Sequence, residues 1–293
     1  MIKSKPKLSI IILNHNTKEL LENCLNSIKK VKQEVPMEII VSDNDSNDGS
    51  VEMIKQKFQW VKLIQGPNIG FSNGNNRARK YVRGKYILFL NSDTLVYKDV
   101  FSKTIRYFDN HSDIGALTCK LVLENGTLDK DARRKFPTPW TSLKRLFLNS
   151  GNNYWYNNID ENRIHEVEAI QGAFFLTTKE ILDKVGWFDE GYQWAGEDLD
   201  LSFQISQLGL KIIYYPKVKL LHLKGASMGK IKRTSRNVDP KVKLARVMQG
   251  VDSMEYFYRK NMWSKYPVVL NYVVLLGISL LRFARLVKFK VNN

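Results

Sequence analysis

Acidic side chains nearly disappear from the end of this 293-residue chain: residues 211–293 hold 18 Lys+Arg against 3 Asp+Glu. Residues 1–210 are close to balance, with 28 Lys+Arg against 26 Asp+Glu, so +15 of the net charge of +17 belongs to the C-terminal part. A basic surface attracts nucleic acid or anionic lipid, and sign alone does not choose between them. Cysteine is also scarce. Cys24 and Cys119 are too few for a disulfide framework and lack metal-site spacing, which makes a reduced, intracellular setting the default. Internal repeats and low-complexity tracts are missing. The N-terminal apolar run, Leu8 to Leu13, is only six residues long and no small-residue cleavage site follows it, so it reads as a strand rather than a signal peptide.

Hydrophobic content of 43% and aromatic content of 11% suit a folded protein with a sizeable core, either one large domain or a domain plus an appendage. Short apolar runs at 8–13, 37–42, 61–64 and 86–90 alternate with helical patterns at 17–31, 49–58 and 72–83. Repeated β-α units predict an α/β fold with a mainly parallel sheet and right-handed crossovers. In such sheets ligands collect at the carboxyl ends of the strands. Those ends carry "NHN" (Asn14 to Asn16), "DNDSNDGS" (Asp43 to Ser50), "GPNIGFSNGNN" (Gly66 to Asn76) and "NSD" (Asn91 to Asp93). Each residue is also a good turn or cap former, but four such ends on one edge point to a polar site. Segment 129–165 reads as a long loop with a short helix near 140–148, of the kind that forms lids. Beyond it come a strand at 169–177, helices around 178–185 and 198–208, and strands near 210–215 and 218–223.

Three places hold chemistry-bearing side chains. Asp93, beside Asn91 and Ser92, ends a strand where a carboxylate suits a divalent cation, or where it caps the next segment. Glu197, Asp198 and Asp200 open a helix whose dipole favours them, and Trp194-Ala195-Gly196 in front fits a pocket where a ring stacks and a carboxylate takes a hydroxyl proton. His222 follows an apolar strand; a lone histidine is as readily a structural donor as a ligand.

Taken in order, "SIIILNHN", "EIIVSDNDSNDGS", "NIGFSNGNN", "YILFLNSDT", "GAFFLTTKEILDKVGWFDE", "GEDLDLSFQISQLG" and "HLKGAS" resemble the inverting glycosyltransferases of family 2, and within them the bacterial rhamnosyltransferase-like branch. The resemblance covers residues 7 to 228 and implies a GT-A (Rossmann-like) catalytic domain over 1–228, followed by a basic extension, 229–293. It implies that Asn14, Asn16, Asp43 and Asn44 line the nucleotide's base and ribose, and that Asn68, Gly70, Asn73 and Asn76 approach the donor. Asn91, Ser92 and Asp93 stand where the family's Asp-x-Asp motif stands. Asp93 would then hold Mg2+ or Mn2+ on the donor diphosphate with His222 as second ligand, Asp198 would be the catalytic base, and Gly172, Trp194 and Glu197 would face the acceptor. Asn91 replaces the first carboxylate of that motif and leaves the metal dependence open. The implied partners are a dTDP- or UDP-linked sugar donor and a glycan or lipid-linked acceptor.

From Tyr266 to Leu281 no residue is charged, and "RFARLVKFK" follows. A helix from Pro267 to Leu281 is about 22 Å long, short of a ~30 Å hydrocarbon core, so a crossing is not favoured. Asn271, Arg282 and Arg285 share one sector of a helix spanning about 266–289. That stripe suits a helix lying in a membrane interface, with an oligomer or domain contact as the alternative. The expected place is the cytoplasm, peripheral on the inner face of the cell membrane. A nucleic-acid-binding role for the basic region is the rival from another class, and no nucleic-acid motif accompanies it.

Overall fold

The computed structural model describes residues 5–142, 154–192, 195–225 and 240–291. Its centre is β1 (Leu8–Asn14), in which Ile10, Ile11 and Ile12 have no exposed surface. Branched side chains fit an extended backbone, and a strand covered on both faces carries an unbroken apolar run. Parallel to it lie β2 (Met37–Asn44) and β4 (Tyr86–Asn91), with β3 (Lys62–Gly66) outside β2. The connecting helices are α1 (Lys18–Val31), α2 (Ser50–Lys57) and α3 (Phe71–Asn76). In α1 the buried Leu21, Cys24, Leu25, Ile28 and Val31 recur at helical spacing and seat it on the sheet. The helix expected over 72–83 stops at Asn76 and resumes as a 3-10 turn, Arg79–Tyr81, because "FSNGNN" is rich in poor helix formers.

The remaining elements are β5 (Thr94–Val96), α4 (Val100–Asp109), β6 (Ile114–Val122), β7 (His165–Glu166), β8 (Phe174–Thr178), α5 (Lys179–Val185), α6 (Glu197–Gln207), β9 (Lys211–His222), α7 (Pro240–Asn261) and α8 (Val268–Val291). Strand order is β3-β2-β1-β4-β8-β6-β9-β5, with β7 also on β9. The β3-β2-β1-β4 half is parallel as expected. The other half makes the sheet mixed: β8 runs antiparallel between β4 and β6, β9 is parallel to β6, and β5 and β7 are antiparallel to β9. The two strands expected near 210–215 and 218–223 are one strand, β9, whose register on β6 slips between Cys119 and Lys120. Most of the helix expected near 140–148 lies outside the described residues. Cys24 and Cys119 are free and fully buried, and burial pushes the Cys24 thiol up to about 12.

The C-terminal helices share a second apolar cluster with α6, in which Leu199 and Phe203 meet Phe257 and Tyr258 of α7 and Met262 just after it, with Val274 and Leu275 of α8 against them. Polar contacts weld the same junction. Asp200, 2% exposed, accepts from Lys260 at 2.8 Å and from Asn261 at 2.7 Å. The boundary expected at 228, and the start of the basic extension up to residue 239, lie outside the described residues.

Helix α8 corrects two expectations. It has 24 residues, about 36 Å of helix, so by length and composition it is long and apolar enough to cross a membrane, and the argument from a 22 Å segment fails. The polar stripe is also turned inward. Asn271 accepts from Tyr258 at 2.7 Å, and Arg282 reaches Asp252 at 2.8 Å and Glu255 at 3.0 Å on α7. What α8 exposes instead is apolar: Val269, Tyr272, Val273, Leu276, Leu280 and Phe283.

Candidate active site

Parallel register levels the strand tips, pairing Asn14 with Asp43, Asn44 with Gly66 and Leu13 with Asn91. The polar residues there are joined to one another. Asn14 Nδ2 donates to Asp43 Oδ2 at 2.7 Å and to Ser46 Oγ at 3.0 Å, while its Oδ1 accepts from Thr17 Oγ1 at 2.6 Å. Thr17 lies 2.9 Å from Ser92 Oγ, so the network ties β1, β2 and the β4 tip together. Asn14 and Asp43 have no exposed surface. An unpaired group there would cost about 1–3 kcal/mol, so this arrangement fixes the edge's shape. Asn16, at φ 55°, donates its backbone N–H to Ser46 Oγ at 2.9 Å and accepts from Asn47 N at 2.8 Å, which shapes the rim.

The loop after β3 is stapled from beneath. Asn44 donates to Asn68 Oδ1 at 3.3 Å and to the Gly70 carbonyl at 3.2 Å, and Arg77 donates to Asn44 Oδ1 at 3.1 Å and to the Pro67 carbonyl at 2.9 Å. Gly70 has φ 113°, a left-handed value that side chains disfavour. Asn73 and Asn76 point elsewhere: they donate to Glu190 at 2.8 and 3.0 Å, and Asn76 also to the Phe188 carbonyl at 2.8 Å. Their side chains thus tie α3 to the turn after α5.

After Asn91 the chain turns through Ser92-Asp93 into β5, whose antiparallel register sets Thr94 opposite His222. That pairing brings His222 Nε2 to 3.4 Å from Asp93 Oδ1, with Asp93 only 1% exposed. On its other side His222 Nδ1 lies 2.8 Å from Asp129 Oδ2, and Asp129 also takes Lys224 at 2.6 Å. Burial works against the charged imidazole, but hydrogen bonds to Asp129 and Asp93 outweigh it and raise its pKa to about 9. A carboxylate behind an imidazole is the arrangement that orients a metal-binding histidine. Neighbouring ligands at ~2.1 Å from one cation stand roughly 3 Å apart, so Asp93 and the neutral form of His222 would fit a divalent ion, with its remaining positions left to water and phosphate oxygens. Among the described residues no cluster of three or more His, Cys, Asp or Glu forms a metal cage.

The second acidic pair, at the head of α6, is held by the segment just before β8. Asn91 N donates to the Ala173 carbonyl at 3.3 Å, and the adjacent Gly172 N–H donates to Asp198 Oδ2 at 3.2 Å. The same oxygen takes Arg134 Nη2 at 2.8 Å. Asp198 therefore sits at the head of α6, one loop away from the Asn91–Asp93 tip. Glu197 is 7% exposed, and its Oε2 has no hydrogen-bond partner among the described residues. Burial, with the nearby charge of Asp198, pushes Glu197 up to about 8. Trp194 lies outside the described residues, and the Gly172 N–H is already engaged with Asp198.

A profile of glycosyl transferase family 2 matches residues 9–186, well over half of the chain. The chain belongs to glycosyl transferase family 2. The rhamnosyltransferase WbbL of Escherichia coli is 27% identical over 223 residues, 73% of this chain and 82% of WbbL. The O-antigen biosynthesis protein RfbC of Myxococcus xanthus is 24% identical over 77% of this chain, which spans only 18% of RfbC. A mannosyltransferase of Pyrobaculum calidifontis, solved with GDP-Man and Mn2+, superimposes with a TM-score of 0.59 at 16% identity, over 88% of this chain and 65% of its own. The GT-A fold expected from the sequence is the fold observed.

In this family 2 transferase, three residues that hold the candidate site together fall outside the motifs, Arg77, Asp129 and Arg134, and a fourth, Lys224, lies within "HLKGAS" without having been singled out. Asp129 and Arg134 come from the first turn of the long 129–165 excursion, where Asp129 caps a 3-10 turn, Lys130–Ala132. Lys224 bridges Asp129 to Asp131 at 2.6 and 2.5 Å. One turn thus touches both the His222 end and the Asp198 end of the site. The signal was available only as "DKDARR", a charge cluster with no periodicity.

Proposed function

We propose that this enzyme transfers a sugar, with inversion at the anomeric carbon, from a nucleotide-sugar donor to a glycan or lipid-linked acceptor in cell-surface polysaccharide synthesis. The observation that carries the reading is that the Asp93–His222 pair and Asp198 are tied to one segment, Asn91 N bonding the Ala173 carbonyl and Gly172 N bonding Asp198, at the carboxyl edge of the sheet. Asp198 accepts the proton of the acceptor hydroxyl as that oxygen attacks from the face opposite the leaving group. Asp93 and His222 hold Mg2+ or Mn2+, which when bound stabilises the negative charge of the departing nucleoside diphosphate. Mn2+ in the mannosyltransferase of the same fold supports a divalent ion here. Asn16, Asn68 and Gly70 meet the donor, while the buried Asn14, Asp43 and Asn44 set the floor on which it rests. Single displacement needs no covalent sugar intermediate.

Rhamnose from dTDP-rhamnose is the donor we favour, on the likeness to WbbL. A thermal-shift panel of UDP, dTDP and GDP, each with and without Mg2+ or Mn2+, tests it: selective stabilisation by dTDP with metal is the expected result. Stabilisation by UDP points to a hexose or galactofuranose donor, and none by any nucleotide overturns the donor site. Asp198→Asn is expected to abolish transfer and keep nucleotide binding; retained turnover removes it as base.

The apolar outer face of α8, continuous with a basic C-terminal part, supports work at the cytoplasmic face of the cell membrane, where lipid-linked acceptors reside. Sedimentation with anionic and with neutral vesicles checks this. Leu276→Glu with Leu280→Glu should release the protein, and unchanged binding would refute the assignment to α8.

A further inference from the structure

Arg134 sits beside Asp198 in a way that packing alone does not require. Its guanidinium Nη2 lies 2.8 Å from Asp198 Oδ2 and 3.2 Å from the Ile170 carbonyl, and its side chain is 16% exposed. The backbone is held as firmly. Arg134 N donates to the Ala169 carbonyl at 2.9 Å and Ala169 N donates back to the Arg134 carbonyl at 2.9 Å. Three residues on, Gly172 N–H approaches the same carboxylate oxygen at 3.2 Å. Oδ2 of Asp198 is therefore held from two sides, by the Arg134 guanidinium and by the Gly172 backbone N–H. Oδ1 accepts no hydrogen bond from any described residue.

Such a division matters to a carboxylate that must take a proton. A free carboxylate rotates about its Cβ–Cγ bond and presents either oxygen in a range of directions. Two donors on one oxygen remove that freedom and leave the other oxygen aimed outward. Misplacement by about 1 Å is enough to cost on the order of 100-fold in rate. Arg134 also balances the charge of Asp198, next to which the buried Glu197 keeps its proton.

We propose that Arg134 is a positioning residue for catalysis, anchoring Oδ2 of Asp198 so that Oδ1 faces the acceptor hydroxyl. The inference rests on Asp198 being the base. A single guanidinium nitrogen, Nη2, reaches the carboxylate and the Ile170 carbonyl together, and a lysine ammonium on its more flexible stem holds such a position less firmly.

The test is steady-state kinetics of the full chain with its donor and acceptor, alongside nucleotide thermal shifts that report folding and donor binding. Arg134→Ala should lower kcat about 100-fold with the donor KM changed less than about threefold. Arg134→Lys, which keeps the charge, should lose roughly tenfold and serves if the alanine variant does not fold. Methylguanidinium should restore at least tenfold of the Arg134→Ala loss, while methylammonium should not; a purely structural role would give no such selectivity. The double variant Arg134→Ala with Asp198→Asn should be no slower than Asp198→Asn alone. If Asp198→Asn is inactive while both Arg134 variants keep kcat within about twofold, or if the loss appears in KM instead of kcat, the positioning role is overturned. Full turnover by Asp198→Asn would instead overturn the base assignment beneath it.

Discussion

Replacing Glu197 by Gln should make the protein less sensitive to alkali. Folded Glu197 keeps its proton to about pH 8, because burial disfavours its charge and Asp198 adds to the cost, whereas the ordinary value is 4.5. Between those limits the unfolded chain has released the proton and the folded chain has not. Stability therefore falls with rising pH, by about 1.4 kcal/mol per unit, until the folded group ionises as well. From pH 6 to pH 8 the accumulated loss is about 2 kcal/mol, and above that range the slope fades. For a chain of this size roughly 2–4 °C of Tm accompanies each kcal/mol, so about 4–8 °C separates the two ends. Gln has the shape of the protonated acid and no charge to lose. The assay is thermal unfolding of wild type and Glu197→Gln from pH 6 to 8.5 at fixed ionic strength, taking the difference between the two curves. The variant should gain on the wild type as pH rises. Parallel curves would show that Glu197 ionises with little penalty and would refute the burial argument.

Other perturbations follow from the same contacts. Asp129→Asn removes the carboxylate behind His222 and should weaken Mn2+ binding by 10- to 100-fold, read by electron paramagnetic resonance of free Mn2+ in the presence of nucleotide; unchanged binding would remove His222 from the ligand set. Asn14→Ala breaks the bonds to Asp43, Ser46 and Thr17 and should cost about 1–3 kcal/mol by urea unfolding, with no cost counting against a closed network. Lys260→Met leaves the buried Asp200 without its cation and should cost about 3–5 kcal/mol, part of it recovered when Asp200→Asn is added. If the double variant is no more stable than the single, the pair is not coupled as drawn.

The parallel half of the fold was legible because its strands are unbroken apolar runs that end in Asn, Asp, Ser and Gly, and Asp93 stood out for that reason. Elements β6 and α4 went unread although α4 buries Val100, Phe101, Thr104, Ile105 and Phe108 at clear helical spacing. Strand β8 began later than its sequence suggested, since Ala169 is committed to Arg134. The roles of Asp129 and Arg134 depend on partners 93 and 64 residues away, His222 and Asp198, which only register and packing bring close. The same holds for Asn73, Asn76 and the inward stripe of α8. Sequence named their polarity and could not say which surface would claim it.

Cys24 and Cys119 have a use beyond their chemistry. Each thiol is shielded from solvent, Cys24 under the Asn91–Thr94 turn and Cys119 within β6, so an alkylating reagent meets neither in the closed molecule. Pulse alkylation followed by mass spectrometry would therefore clock how often each region opens. Cys24 reports on the floor of the Ser92-Asp93 turn and Cys119 on the other half of the sheet. A donor that slows labelling at the first and leaves the second unchanged would reveal local tightening without a single engineered probe.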